Sequence, residues 1–325
     1  MKQQEYFPHR SAAHRSAVRL VPAAACIVLL LLAAACSNDT DDSIPSAATD
    51  GDHPFTFTAI APQPMNATTR AVHDMDDGWE WEWDGETLDT RDKIKVKLVE
   101  AATGKSCIGT YTVTSAAGAT EVLPGDPPAL WQSRTPHKVY AWYPAVELGN
   151  VFPLNGQDIG NVRDYDLMHA SAESVLYGQT PKLVFTHQMA KVRVELPGLA
   201  ASTPDVKVRI KIYSYVVFDE NGNISEESVN NGRDHIDAAH DPNTGDFAAF
   251  EIFSIPRSSD FLTDTDFIEI TINSKVYYFS PAEADIVSFE AGKVYTYRID
   301  LPASATSTRC LTLPSAPVVT SIDNR

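Results

Sequence analysis

The sequence predicts an all-β protein of the β-sandwich type. Short runs in which apolar and polar residues alternate recur along most of its 325 residues, and Gly, Pro and Asn turns separate many of them. The apolar period of a surface helix is nearly absent. Many short strands at this spacing, with turns of this chemistry, point to packed antiparallel sheets.

The amino-terminal segment stands apart from that pattern. Lys2, Arg10, Arg15 and Arg19 precede an apolar run from Leu20 to Ala35, too short to cross a bilayer comfortably, which ends in small residues that a signal peptidase can grip. Ala33-Ala34-Ala35-Cys36 resembles the lipobox of bacterial lipoproteins. That resemblance implies a signal peptide over 1–35, acylation of the Cys36 thiol, and Cys36 as the first residue of the processed chain. One acyl chain binds a membrane marginally, whereas two or three anchor stably. The acidic stretch Ser37-Asn38-Asp39-Thr40-Asp41-Asp42 resembles the surface-export signal of Bacteroidota lipoproteins, so the expected location is the outer membrane, facing outward. Residues 36–53 are too polar to bury a core and read as a flexible tether.

The strands follow. In Phe55-Thr56-Phe57-Thr58-Ala59-Ile60 the side chains of Phe55, Phe57 and Ala59 share one face, and Pro62 and Pro64 stop the strand. Asn66-Ala67-Thr68-Thr69-Arg70-Ala71 is polar, with little reason to pack. Trp79, Trp81 and Trp83 alternate, so a strand there carries all three indoles on one face. Two readings stay open: the rings fill a sandwich core, which the high average burial of tryptophan favours, or they stack on sugar rings. Asp74-x-Asp76 begins like a calcium loop, but Gly78 occupies the fifth position, where an oxygen ligand is needed.

Further strands are expected at Lys93–Val99, Ile108–Thr114, Lys138–Tyr143, Leu183–Thr186, Lys191–Leu196 and Val206–Phe218, then at Ala248–Ile255, Phe267–Ile272, Lys275–Phe279 and Val294–Leu301. Ala170–Leu176 is the one helical candidate. A boundary near Thr180-Pro181 divides the chain into units over 54–180 and 181–301, with an extension over 302–325.

The formal charge of −17 becomes about −20 once residues 1–35, with their four basic side chains and Glu5, are removed. Such a surface excludes nucleic acid as a natural partner, because phosphate binding needs clustered Lys and Arg. The processed chain holds Cys36, Cys107 and Cys310, and the sequence leaves open whether the last two meet. No Gly-x-Ser-x-Gly elbow, Ser-x-x-Lys, His-Glu-x-x-His or phosphate loop is present, so neither an enzyme nor a cofactor is expected. His235, Asp237, His240 and Asp241 form one His/carboxylate cluster, whose spacing suits one helix face or one strand face poorly. It reads as a solvated loop rather than a metal site. His187 reads as a hydrogen-bonded residue at a strand's end rather than a base.

Six stretches carry a wider resemblance. They are Phe55-Thr56-Phe57 followed by Thr69-Arg70-Ala71; Trp83 through Asp92-Lys93-Ile94-Lys95-Val96; Val139-Tyr140-Ala141-Trp142-Tyr143-Pro144; Asp166-Leu167-Met168-His169-Ala170; Leu183 through Lys191-Val192; and Phe289-Glu290-Ala291-Gly292-Lys293-Val294-Tyr295. Each alone is weak. In this order they resemble the fimbrillin family of Bacteroidota surface pili, the Mfa-like subunits of type V pili, although Gly and Asp are not adjacent in the second stretch.

That resemblance implies two transthyretin-like, Greek-key β-sandwich domains in tandem and a structural fimbrial subunit serving adhesion, with host or bacterial surface ligands as candidate targets. It also implies that an arginine-specific surface protease cuts between Arg70 and Ala71 and removes the strand bearing Phe55, Phe57 and Ala59. A donor strand from another fimbrillin subunit then fills the groove. On this chain the donor would lie after Leu301, around Leu311 and Leu313 or around Val318, Val319 and Ile322. Pro314 and Pro317 interrupt that tail, which leaves stalk and accessory or tip positions both open. The reading from another class, prompted by the tryptophan row, is a lipid-anchored glycan-binding protein that does not polymerise.

Overall fold

The computed structural model describes residues 53–62, 92–114, 119–158, 160–230, 232–244, 246–258, 264–280 and 288–301. These residues form strands with three short 3₁₀ turns, an all-β fold. The first nine strands are β1 (Thr58–Ile60), β2 (Lys93–Glu100), β3 (Ser106–Val113), β4 (Ala119–Pro124), β5 (His137–Tyr143), β6 (Val151–Pro153), β7 (Met168–Val175), β8 (Lys182–Val184) and β9 (Thr186–His187).

Eight of them hydrogen-bond in the order β8-β1-β4-β3-β2-β5-β7-β9. The two end strands of that order are consecutive in the chain, separated by Phe185 alone, so the sheet curls back on itself around one core. Period-two alternation sets which side chains enter it. Ile94, Val96 and Leu98 of β2 point inward, as do Tyr111 and Val113 of β3 and Val139, Ala141 and Tyr143 of β5.

Ala170–Leu176, expected as a helix, is strand instead and lies almost wholly within β7. It ladders against β5, while β9 pairs with Met168 and His169 at the start of β7; Ala170 and Val175 are buried and Ser171 and Glu173 turned outward. Pairing with distant strands overrides the local helix preference of alanine and glutamate.

The second set of strands is β10 (Ala190–Leu196), β11 (Val206–Tyr213), β12 (Tyr215–Val217), β13 (Arg233–Asp237), β14 (Ala239–Asp241), β15 (Ala248–Ser254), β16 (Arg257–Ser258), β17 (Ile268–Ile272), β18 (Lys275–Phe279), β19 (Ser288–Phe289) and β20 (Val294–Arg298). Two four-stranded sheets, β14-β15-β10-β20 and β13-β11-β17-β18, share a second apolar core built on Val192, Val194, Ile210, Ile252, Ile270 and Tyr297. The run expected as one strand over Val206–Phe218 breaks at Ser214. Its last part, β12, leaves the sheet and pairs with β6.

The His/carboxylate cluster, expected in a solvated loop, is strand as well, and it is split between the sheets. His235 lies on β13, half-buried, with its Nε2 2.6 Å from the Asp266 carbonyl. Asp241 lies on β14 and takes a hydrogen bond from Arg193. Ala238, between the two strands, is where the chain changes sheets, so the cluster is a sheet crossover. Near the expected boundary at Thr180-Pro181, Leu183 and Phe185 still pack in the first core, and Met189 is the first later residue in the second.

Candidate functional site

The residues 55–61 run through the first core. Phe55, Phe57, Ala59 and Ala61 are all buried, while Thr56 stays exposed, as the alternation requires. β1 lies between β4, to which it is antiparallel, and β8, to which it is parallel, each over three residue pairs. The Thr58 amide donates to the Pro181 carbonyl at 2.9 Å, and the Phe185 amide donates to the Ile60 carbonyl at 2.9 Å. Upstream, the Phe55 amide donates to Ala129 at 2.8 Å and Trp131 donates to His53 at 3.0 Å.

The side chains make the larger contribution. The Phe55 ring stacks on Phe57 at 5.7 Å and meets Trp131 edge-on at 5.4 Å, and Phe57 meets Tyr111 edge-on at 5.1 Å. Such offset and T-shaped pairs add to the gain from burial. The Tyr111 hydroxyl donates to the Phe55 carbonyl at 2.9 Å, so a polar group deep in the core is satisfied by the very strand it holds. Burial among these rings pushes the Tyr111 phenol well above its usual range, and it stays neutral.

Gly109 completes the seat. A Cβ there would lie 1.9 Å from the Ala129 nitrogen, so only glycine lets the 128–131 loop press against β3 and aim the Ala129 carbonyl at Phe55. The Cys107 thiol clamps the same loop, donating to the Leu130 carbonyl at 2.9 Å. Sequence reading found the alternating strand but neither these supports nor β4. A glycine inside an alternating strand was the available signal for the close approach.

Several of the recurring stretches prove to be fastenings between strands. The Tyr143 hydroxyl donates to the Asp92 carboxylate at 2.9 Å, joining the Asp92 stretch to the Tyr140–Pro144 stretch. His187 Nδ1 sits 2.9 Å from Asp166, joining the Asp166 stretch to the strand that begins at Leu183, so His187 is a hydrogen-bonded strand-end residue. Gly292 donates to Met189 at 2.8 Å, and the Lys191 amide donates to Lys293 at 2.9 Å, so the closing stretch ladders onto β10.

Phe55, Phe57 and Ala59 are thus brought together in one slot. Cys36, Asp74, Asp76, Arg70 and Ala71, the tryptophan row at 79, 81 and 83, and the tail residues Leu311, Leu313, Val318, Val319 and Ile322 lie outside the described residues, as does Cys310.

The sequence matches the model of the fimbrillin-like family over residues 69–313. Among solved structures, a candidate cell adhesion protein from Bacteroides uniformis is similar at 16% identity and a TM-score of 0.53, covering 83% of this chain and 96% of that one. Another candidate cell adhesion protein, from Bacteroides ovatus, is similar at 16% identity and a TM-score of 0.55, again covering 83% and 96%. At that identity the likeness is one of fold. A comparison with curated proteins gives no match. The family match spans most of the chain and takes in the strands of both cores beyond β1, and the protein therefore belongs to the fimbrillin-like family.

Proposed function

We propose that this protein is a structural subunit of surface fimbriae, carried to the outer membrane as a lipoprotein on Cys36 and assembled by replacement of its first strand, with adhesion as the purpose. Cleavage between Arg70 and Ala71 by an arginine-specific surface protease frees that strand. A donor segment of a neighbouring fimbrillin subunit takes its place, and the stretch after Leu301 of this chain serves as donor to a neighbour's groove. The two cores are read as two transthyretin-like domains in tandem, 54–180 and 181–301.

The observation that carries the reading is the seat of β1. An inner strand paired over three residues on each side is preceded by two fully buried phenylalanines, and its polypeptide is joined to β2 through a long polar segment. Once cut, it is held by non-covalent contacts alone. Leaving the slot empty would strand the ladder partners on β4 and β8 and expose the apolar lining, so loss of the strand is favourable only with a replacement at hand. Main-chain bonds then supply affinity and the alternating side chains supply register. Because the groove and the donor are different surfaces, the contact need not close, and it propagates into a filament. Family membership supports a cell-surface fimbrial role.

The test is made in cells. The protein in the fimbrial fraction should begin at Ala71, and Arg70→Ala protein should stay out of that fraction with lipidated Cys36 at its amino terminus. A chain ending at Leu301 should be lost from extended fimbriae. Arg70→Ala protein found in fimbriae at the normal level would overturn the reading, and the capping and glycan-binding readings would then be taken up.

A further inference from the structure

We propose that the slot of the first strand selects its occupant by two aromatic anchors followed by two small residues, and that this chain's own tail is not that occupant. The inference rests on the strand-replacement reading above and narrows it. The partner is a segment of a different subunit with the pattern aromatic-x-aromatic-x-small-x-small and no proline at its fourth position.

The slot is shaped by what fills it now. Phe55 and Phe57 lie against Trp131 and Tyr111 at ring distances of 5.4 and 5.1 Å, a geometry that flat rings satisfy and branched aliphatic chains do not. Ala59 and Ala61 are as fully buried as the two rings, so a larger side chain at either place has to displace packed neighbours. The backbone sets a third condition. The amide at position 58 bonds to the Pro181 carbonyl at 2.9 Å, and a proline there removes the donor and puts its ring against that oxygen.

The tail meets these conditions in none of the registers led by Leu311, Leu313, Val318 or Val319; with Leu313 leading, Ser315 takes the Phe57 place and Pro317 the Ala59 place. With Leu311 and Leu313 at the places of Phe55 and Phe57, both anchors are aliphatic, Pro314 falls at position 58 and Pro317 at Ala61. With Val318 leading, Thr320 takes the Phe57 place and Ile322 the Ala59 place. With Val319 leading, Ser321 and Asp323 take those places. The register led by Leu311 loses a hydrogen bond, and the others put polar groups into an apolar pocket or overfill it.

The test uses the full chain with a site-specific protease sequence inserted after Arg70, cut and checked by amino-terminal sequencing. Labelled peptides are then offered, and entry is read by native mass spectrometry. The peptide of residues 53–62 should enter. Its Thr58→Pro variant and the tail peptide 308–325 should each enter about tenfold or more weakly, the scale of one lost hydrogen bond with imperfect packing. A tail peptide carrying Leu311→Phe, Leu313→Phe and Pro314→Thr should gain entry over the natural tail. Entry of the natural tail as strong as that of the 53–62 peptide would overturn the proposal while leaving strand replacement standing. Entry of no peptide at all would overturn both.

Discussion

The two cores are assembled by different means. In the second, the backbone dominates: β10 pairs with β15 across all seven of its residues, from Ala190 opposite Ser254 to Leu196 opposite Ala248, and β20 lies along its other side. In the first, β1 spans three residues, yet the segment leading into it places Phe55 and Phe57 at the centre of the apolar cluster. One core is built as a continuous ladder. The other is completed by a short strand whose side chains hold more than its hydrogen bonds do, so the proposed replacement by a segment of the same shape would rebuild no long ladder.

The cores also treat charge differently. On the non-core face of β10, the guanidinium of Arg193 is buried and bonds to Glu195, Asp241 and Glu251. The first slot contains no such charged cluster among its described residues, and its polar contacts are neutral ones, from the Tyr111 hydroxyl, the Thr56 and Thr180 hydroxyls and the main chain.

The sharpest way to break this comparison is to empty the aromatic seat. Phe57→Ala is expected to cost about 3–5 kcal/mol, and hydrogen exchange should lose protection in β1, β4 and β8 before β10 and β15. Uniform loss across both cores would mean that the cores are not distinct in this respect. Arg193→Ala tests the other side. Removing the cation leaves buried glutamates unpaired, at a cost of about 3–5 kcal/mol at neutral pH, and protection should fall first at β10, β14 and β15.

The smallest effect concerns the contact between the cores. His169 Nε2 lies 3.2 Å from the Asn221 carbonyl and must donate to it, and burial lowers the His169 pKa below its usual 6.5. The folded state therefore favours the neutral ring, while the unfolded chain takes up a proton near the usual value. The contribution of His169 is complete above about pH 6.5 and is lost as the pH falls through the depressed value. The difference in urea midpoint between the natural chain and His169→Gln should narrow on acidification. A difference that stays constant with pH would show that the ring does not titrate in this way.

Much of the fold was legible because alternation is local. The Lys and Ile/Val/Leu alternation of β2 announces a strand with one face buried, and so do the patterns of β10, β11 and β15. What was missed depends on partners far away in the chain. β7 is rich in Ala, Ser and Glu and becomes strand because β5 and β9 flank it. β4 carries its alternation in Thr120 and Val122 with Leu123 exposed, too few apolar residues to mark a strand before β1 and β3 are known to pair with it. The same holds for the slot. Phe55, Phe57 and Ala59 alternate visibly, whereas the ring of Trp131, the hydroxyl of Tyr111 and the space left by Gly109 come from other segments.

The residues between β9 and β10 have a mechanical consequence. Gln188 and Met189 are the whole connection, and the Gln188 side chain is engaged at both ends, donating to the Gly222 carbonyl at 3.2 Å and accepting from the Ile224 amide at 2.9 Å. Gly222 itself, at a φ of +85°, lies so close to Trp142 that a Cβ would fall 2.5 Å from the indole, and Lys97 reaches the Glu220 carbonyl at 2.7 Å. The chain first enters the second core at Leu154, Val162 and Leu167, and its final passage there, at Gln188 and Met189, is thus splinted by a turn that returns from the far side. Under tension the link cannot lengthen by swivelling at a free joint, because pulling loads the covalent connector and the splint together. A rod of such units would resist bending within each unit, and its compliance would reside at the seams between them.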